Sequence, residues 1–201
     1  SLSGTAVHST DFSDIPTEPT PGDLMLRDYF VQETRRVEAR TNSLIADTEN
    51  WPGKQASLRR ELYEMLGLQP LPARSPLKAV TTGSTTRDGV IVENIVFQSR
   101  PGLYVTANFY RPEEQEGPLP SILYQCGHGR VNIDGISYGN KVHYQRHGTW
   151  FAKHGYTCLT IDTLQLGEIE GHHHGTYKLD RWWWNSRGYT PAGVEAWNAI
   201  R

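Results

Sequence analysis

A chain of 201 residues, 37% hydrophobic and 21% charged with a formal net charge of −2, can bury one domain core and is too apolar to stay disordered. The small charge leaves no electrostatic case for a nucleic-acid or anionic-membrane partner. No apolar run approaches the roughly 18 residues of a membrane span.

In chain order, residues 1–22 are rich in Ser, Thr, Pro and Asp and read as an extended arm. The chain begins at Ser1 with no signal peptide in view, so export to a periplasm or beyond stays open. Residues 23–76 read as a helical extension. Asp23 can cap a helix running to about Thr41, with Leu26, Phe30 and Val37 on its apolar side. A second helix follows Trp51-Pro52, where Leu58, Leu62, Met65 and Leu66 recur at helical spacing and Gly67 stands at the C-terminal cap. Three prolines between Gln69 and Pro76 forbid its continuation.

The pattern then changes to period two. Val90–Phe97 and Leu103–Tyr110 predict strands of an antiparallel hairpin, turned at Ser99-Arg100-Pro101-Gly102. Ser121–Gln125 and Tyr156–Asp162 predict two parallel strands, joined by a loop and a helix that ends at His154-Gly155. Cys126-Gly127-His128-Gly129-Arg130 follows the first of them. Ligands of such sheets collect beyond the carboxyl ends of the strands, and glycines there let backbone N–H groups face a developing negative charge. The alternative is a tight turn without catalytic duty. Cys126 and Cys158 fall at opposite ends of neighbouring strands, too far apart for a disulfide, and read as buried thiols.

Four further features need weighing. Gly135-Ile136-Ser137-Tyr138-Gly139 matches the G-x-S-x-G nucleophile pattern. The four residues before it are short and half polar, and no crossover fits between them and the Ser121 strand, so the match reads as chance. His172-His173-His174 suggests metal, but consecutive residues rarely converge on one ion and the i, i+4 spacing is missing. Asp162, at the end of a strand, is expected to fix the following turn by accepting backbone N–H bonds. Trp182-Trp183-Trp184, with Tyr177 and Tyr189, suits a sugar face or a packed core equally. Thr190-Pro191 opens a last helix.

Taken together, the strand leading to Cys126-Gly127-His128-Gly129, the run Trp150–Tyr156, and Ile161-Asp162 with Gly167-Glu168 resemble the first half of an α/β-hydrolase. Gly171–Tyr177 and Trp182–Glu195 resemble segments of bacterial acetyl-xylan-esterase-like and dienelactone-hydrolase-like proteins. The resemblance spans roughly residues 25–201. It implies an α/β fold with a mostly parallel hydrolase-type sheet, an antiparallel N-terminal hairpin and a helical N-terminal extension. Residues 77–201 would be the N-terminal part of that domain, incomplete at its C-terminal end. It implies a serine carboxylesterase acting on an acylated carbohydrate or small ester, in which a histidine activates the serine and an acid orients the histidine.

No catalytic residue of that set falls within 1–201. They are expected beyond Arg201 or on a second chain that completes the domain. Within the segment, the resemblance implies an oxyanion donor at the His128 N–H, shaped by Gly127 and Gly129. The loop from Gly167 to Tyr189 would wall the substrate pocket, with His173, Trp183 and Arg187 facing it. No cofactor or metal is implied, and nucleic acid or membrane is not expected as a partner. A glycan-binding module without chemistry, and a peptidase or dienelactone-type hydrolase on the same scaffold, are the alternatives.

Overall fold

The computed structural model describes residues 18–174, 179–180 and 183–201. The chain divides into two compact units, Ser1–Ser57 and Leu58–Arg201. In the first, α1 spans Pro21–Ala46. Its cap is Thr20 rather than Asp23. The Thr20 hydroxyl accepts the Asp23 N–H at 3.3 Å, and the Asp23 carboxylate accepts the Thr20 N–H at 2.8 Å. Pro21 fits the first helical position, where no N–H is needed, so Asp23 falls at the third and closes a capping box. The Thr20 hydroxyl, 2.7 Å from the Asp23 carboxylate, and then the Thr20 N–H hold the Asp23 carboxyl below its ordinary range. Leu26, Phe30 and Val37 are exposed along α1. Of the arm expected over 1–22, residues 1–17 lie outside the described residues, while Pro21 and Gly22 are helical.

α2 spans Trp51–Met65, and the division between the two units falls inside it; the sequence placed the start of the hydrolase part at residue 77. Gly67, at φ +70°, ends the helix as expected. The Leu68 N–H bonds the Tyr63 carbonyl at 2.7 Å and the Gly67 N–H bonds the Glu64 carbonyl at 3.0 Å, a Schellman closure.

The second unit holds a five-stranded sheet in the order β1-β2-β3-β7-β4. These strands are β1 Val80–Arg87, β2 Val90–Arg100, β3 Leu103–Pro112, β4 Ser121–Gln125 and β7 Thr157–Ile161. A separate ribbon pairs β5 (Asn132–Ile133) with β6 (Ile136–Ser137). The expectation of a mostly parallel sheet holds at one pair only. β4 and β7 run parallel, whereas β1/β2, β2/β3 and β3/β7 are antiparallel. Chain length explains the difference. Asp88-Gly89, both at positive φ, turn β1 into β2 within two residues, and Pro101-Gly102 do the same for β2 and β3. Only the stretch between β4 and β7 is long enough for a crossover. It carries α3 (Asn140–His143) and α4 (Gln145–Lys153).

Each face of the sheet packs under one helix. On one side Val90, Tyr110 and Cys158 pack with Ala152 of α4. On the other Phe97, Val105, Ala107 and Ile161 pack with Ala199 of α6, which spans Pro191–Ile200 after the short α5, Trp183–Ser186. Thr190 caps α6, accepting the Gly193 N–H at 2.8 Å, as its Thr-Pro start predicts. The Trp197 indole N–H donates to the Ser99 carbonyl at 3.0 Å and fastens α6 to β2. Gly148 lets α4 lie close to the sheet, since a Cβ there would sit 2.5 Å from Tyr110 Cε2. Replacing it with valine is expected to cost about 1–3 kcal/mol by overpacking, read as a lower urea midpoint.

Candidate functional site

The parallel pair sets Gln125 beside Ile161, so Cys126 and Asp162 leave the sheet side by side. Two buried side chains seize the turn that follows. Asn140 Nδ2 donates to the Gly127 carbonyl at 2.6 Å, and Asn140 Oδ1 accepts the Thr163 N–H at 3.1 Å. The Thr163 hydroxyl sits 2.7 Å from the Cys126 carbonyl and 3.3 Å from that of Gly127. A trans peptide holds its C=O and N–H antiparallel. With the Gly127 carbonyl drawn inward to Asn140 and Thr163, the His128 N–H faces the opposite way. Gly127 and Gly129 are required by space rather than by positive φ. A Cβ would lie 2.6 Å from the Tyr144 hydroxyl at the first, and 2.6 Å from His143 Cδ2 at the second.

Beneath this turn sits a buried ionic network. Asp162 accepts the Lys141 N–H at 2.9 Å, the Lys141 ammonium at 2.8 Å, the Thr106 hydroxyl at 2.6 Å and the Glu168 N–H at 3.4 Å. The carboxylate therefore fixes both the Lys141 and Glu168 backbones, the role expected of it. The Lys141 ammonium, on a side chain 1% exposed, also meets Glu168 Oε1 at 2.5 Å and the Tyr138 carbonyl at 3.1 Å. Sequence reasoning missed Lys141, Asn140 and Thr163. The partners that bury them, Gly127, Asp162 and Cys126, lie 13 to 37 residues away in the chain, and no local pattern marks them.

Cys126 and Cys158 are free and buried, as expected. Burial, with Asp162 adding to it, pushes the Cys126 thiol up to about 12. Neither cysteine is expected to react with iodoacetamide at pH 8 in the folded protein, and both should react once urea unfolds it. Mass spectrometry of the alkylated chain reads the difference.

Of the predicted pocket residues, the structure brings His173 to the His128 turn. His128 Nε2 and His173 Nε2 are 3.1 Å apart, with the rings edge to face. His173 Nδ1 contacts the Leu164 carbonyl at 2.9 Å. His174 packs against His173, with ring centroids 3.7 Å apart. His174 has a left-handed backbone, φ +59°, uncommon outside glycine. Glu195, on α6, reaches the same cluster. Burial lowers the His174 pKa, with His173 and His128 adding to it, and burial raises that of Glu195 against the pull of His173 and the Leu164 N–H. Arg187 is exposed in the turn after α5, its N–H on the Trp184 carbonyl at 3.2 Å. The Trp183 side chain lies outside the described residues. Its neighbour Trp184 donates its indole N–H to the His174 carbonyl at 3.1 Å. Trp184 also lines an apolar cavity of about 240 Å³ with Leu66, Leu103, Leu164, Val194 and Trp197.

No protein-family model matches the chain. A Bacillus subtilis (strain 168) protein, named "Putative hydrolase YtaP", is 33% identical over 124 residues, covering 58% of this chain and 40% of its own length. The solved structure of a "putative acetyl xylan esterase" from Bacteroides fragilis NCTC 9343 superposes with a TM-score of 0.58 at 20% identity, over 76% of this chain and 42% of that one. Methylesterase BT1017 superposes with a TM-score of 0.58 at 25% identity, over 81% of this chain and 33% of its own. The fold is that of an α/β-hydrolase. The chain spans between a third and about two-fifths of the length of these relatives.

In α/β-hydrolases the nucleophile stands on a sharp strand-to-helix turn, and one oxyanion donor comes from the loop after a neighbouring strand. Ser137 does not occupy such a turn. It lies on β6 of the two-stranded ribbon, after an Asp134-Gly135 turn at positive φ, and its hydroxyl donates to the Gly167 carbonyl at 3.0 Å. The β4 loop leaves the His128 N–H turned away from the buried Asn140.

Proposed function

We propose that this chain builds the oxyanion side of a serine-dependent carboxylesterase that deacylates acylated carbohydrate. The observation that carries the reading is the pinned Gly127 carbonyl at the end of β4. A peptide held by Asn140 and Thr163 from the inner side presents its N–H in a fixed direction, which is what stabilises a tetrahedral oxyanion without reorganisation. Gly127 and Gly129 keep the turn close to Tyr144 and His143. Residues 77–201 are the N-terminal part of the hydrolase domain. The serine, its histidine and the orienting acid come from polypeptide outside residues 1–201, in agreement with the share of the relatives' length that this chain spans.

In the attack step the serine oxygen adds to the ester carbonyl while the histidine takes its proton. The carbonyl oxygen becomes anionic and receives the His128 N–H. Collapse expels the alcohol, which takes the proton back from the histidine, and water then releases the acid by the same route. His173 and the Trp184-lined cavity wall the acyl or sugar side. The similarity to a methylesterase and to an acetyl xylan esterase supports small ester groups as the leaving acyl or alkyl part.

The test is hydrolysis of p-nitrophenyl acetate and acetylated xylan by the complete protein, with and without a serine-reactive fluorophosphonate. Turnover abolished by the reagent supports the esterase. Glycan binding without turnover would replace it with a binding module, and a preference for peptide substrates would replace it with a peptidase.

A further inference from the structure

His173, His174 and Glu195 form a cluster that takes no part in the bond-making steps of the proposed esterase. The ligand-capable atoms of His173, His174 and Glu195 lie within 4.8 Å of one another. A carbonyl oxygen only accepts, so the 2.9 Å contact with Leu164 makes Nδ1 of His173 the protonated nitrogen. Its Nε2 then keeps a lone pair, which now faces the His128 ring. Histidines that bind metal are oriented in this way, through the other ring nitrogen on a backbone carbonyl.

His174 is placed by deliberate constraint. Its left-handed backbone, φ +59°, is uncommon outside glycine and persists where surrounding bonds hold it. Here the His174 N–H donates to Gln165 Oε1 at 2.8 Å, and its carbonyl accepts the Trp184 indole at 3.1 Å. The Glu195 carboxylate, in the same cluster, accepts the Leu164 N–H, but its Oε1 is buried without a hydrogen-bond partner among the described residues. A buried carboxylate oxygen left unpaired is costly. A cation at the centre of the cluster would satisfy it.

We infer that His173, His174 and Glu195 bind one divalent transition cation, with zinc the best match. Two imidazoles and a carboxylate suit zinc, and three protein ligands leave a fourth position open. Tetrahedral ligands at about 2.0–2.1 Å from zinc stand roughly 3.3 Å apart, so the side chains close by an ångström or two on binding. One further consequence follows. The His173 Nε2 lone pair cannot serve both a cation and the His128 ring now 3.1 Å away, so binding releases the His128 side chain. The site shares His173 with the proposed pocket wall, but the cation argument rests on the ligand set alone.

The experiment takes the untagged protein, stripped with a chelator, and titrates it with Zn²⁺ by calorimetry and with Co²⁺ by visible absorption. One saturable equivalent and a tetrahedral Co²⁺ spectrum are expected. Histidine side-chain NMR should show His128 shifting on Zn²⁺ addition. Glu195→Gln and His173→Ala should each weaken Zn²⁺ more than about a hundredfold, beyond the usual loss for a residue that merely supports a ligand. His172→Ala, at an exposed position in the same run, should leave affinity unchanged. Circular dichroism checks folding. If His173→Ala fails to fold, Glu195→Gln carries the test, because it keeps the side chain's size. No saturable uptake, unchanged affinity in Glu195→Gln, or loss of affinity in His172→Ala would overturn the site. Esterase turnover without zinc uptake would overturn it while leaving the proposed function standing, and zinc uptake without turnover would do the reverse.

Discussion

Replacing Lys141 with methionine is expected to destabilise the protein by about 3–5 kcal/mol, the usual cost of removing one partner from a buried ion pair. Lys141 and Asp162 are 1% and 6% exposed, and the ammonium stands 2.8 Å from the carboxylate. Methionine fills the alkyl volume but leaves the Asp162 charge without its counter-ion. The Thr106 hydroxyl and the Lys141 and Glu168 N–H groups remain as donors, and they solvate the charge only in part. Glu168 contributes less, because its side chain is 45% exposed and water can replace the lysine. Urea unfolding of Lys141→Met, Glu168→Gln and the Lys141→Met/Asp162→Asn pair measures this. The double variant should recover part of the loss, since no unpaired charge is left. A Lys141→Met cost below about 1 kcal/mol would show that the pair is solvated after all.

His128→Pro in the complete enzyme is expected to lower kcat by about a hundred- to a thousandfold, the usual effect of deleting one oxyanion donor. Proline removes the N–H and also fixes φ and deletes the imidazole, while the Gly127 carbonyl still has Asn140 and Thr163 as donors. His128→Ala, which retains the N–H, should keep most of the activity. The two variants together separate a backbone role from a side-chain role. Equal losses in both would place the chemistry on the imidazole. A His128→Pro enzyme as active as the parent, with an unchanged urea midpoint, would remove the β4 turn from the mechanism.

Much of this site was legible from local patterns. The apolar runs at 121–125 and 157–161, separated by a helical stretch, are enough to place a parallel pair with its turn at Cys126. Asp162 at the strand end, and Thr190-Pro191 before a helix, also carry their meaning within a few residues. β1 left a weaker trace. Val80–Arg87 is Thr-rich and mostly exposed, so it lacks alternation, although Asp88-Gly89 before Val90 is a hairpin signal that points to it. Thr20 as the cap of α1 was likewise available in Thr-Pro-Gly-Asp, the sequence of a capping box with proline at its first helical position.

The rest could not be read in that way. Asn140 looks like any loop residue until the fold brings it beneath Gly127, and Lys141 looks like a surface lysine until Asp162 closes over it. His173 and His174 pack together at a bend where His174 has a left-handed backbone, and Glu195 joins them from α6. By itself, then, the sequence determined which segments become strands and helices, and where their polar turns fall, because those follow from periodicity, capping and turn chemistry over short spans. Which way the His128 amide faces, which charges are buried together and which histidines share a site were decided by tertiary packing. Each depends on hydrogen bonds and close approaches between residues far apart in the chain, and the free energy of those contacts exists only once the sheet has formed.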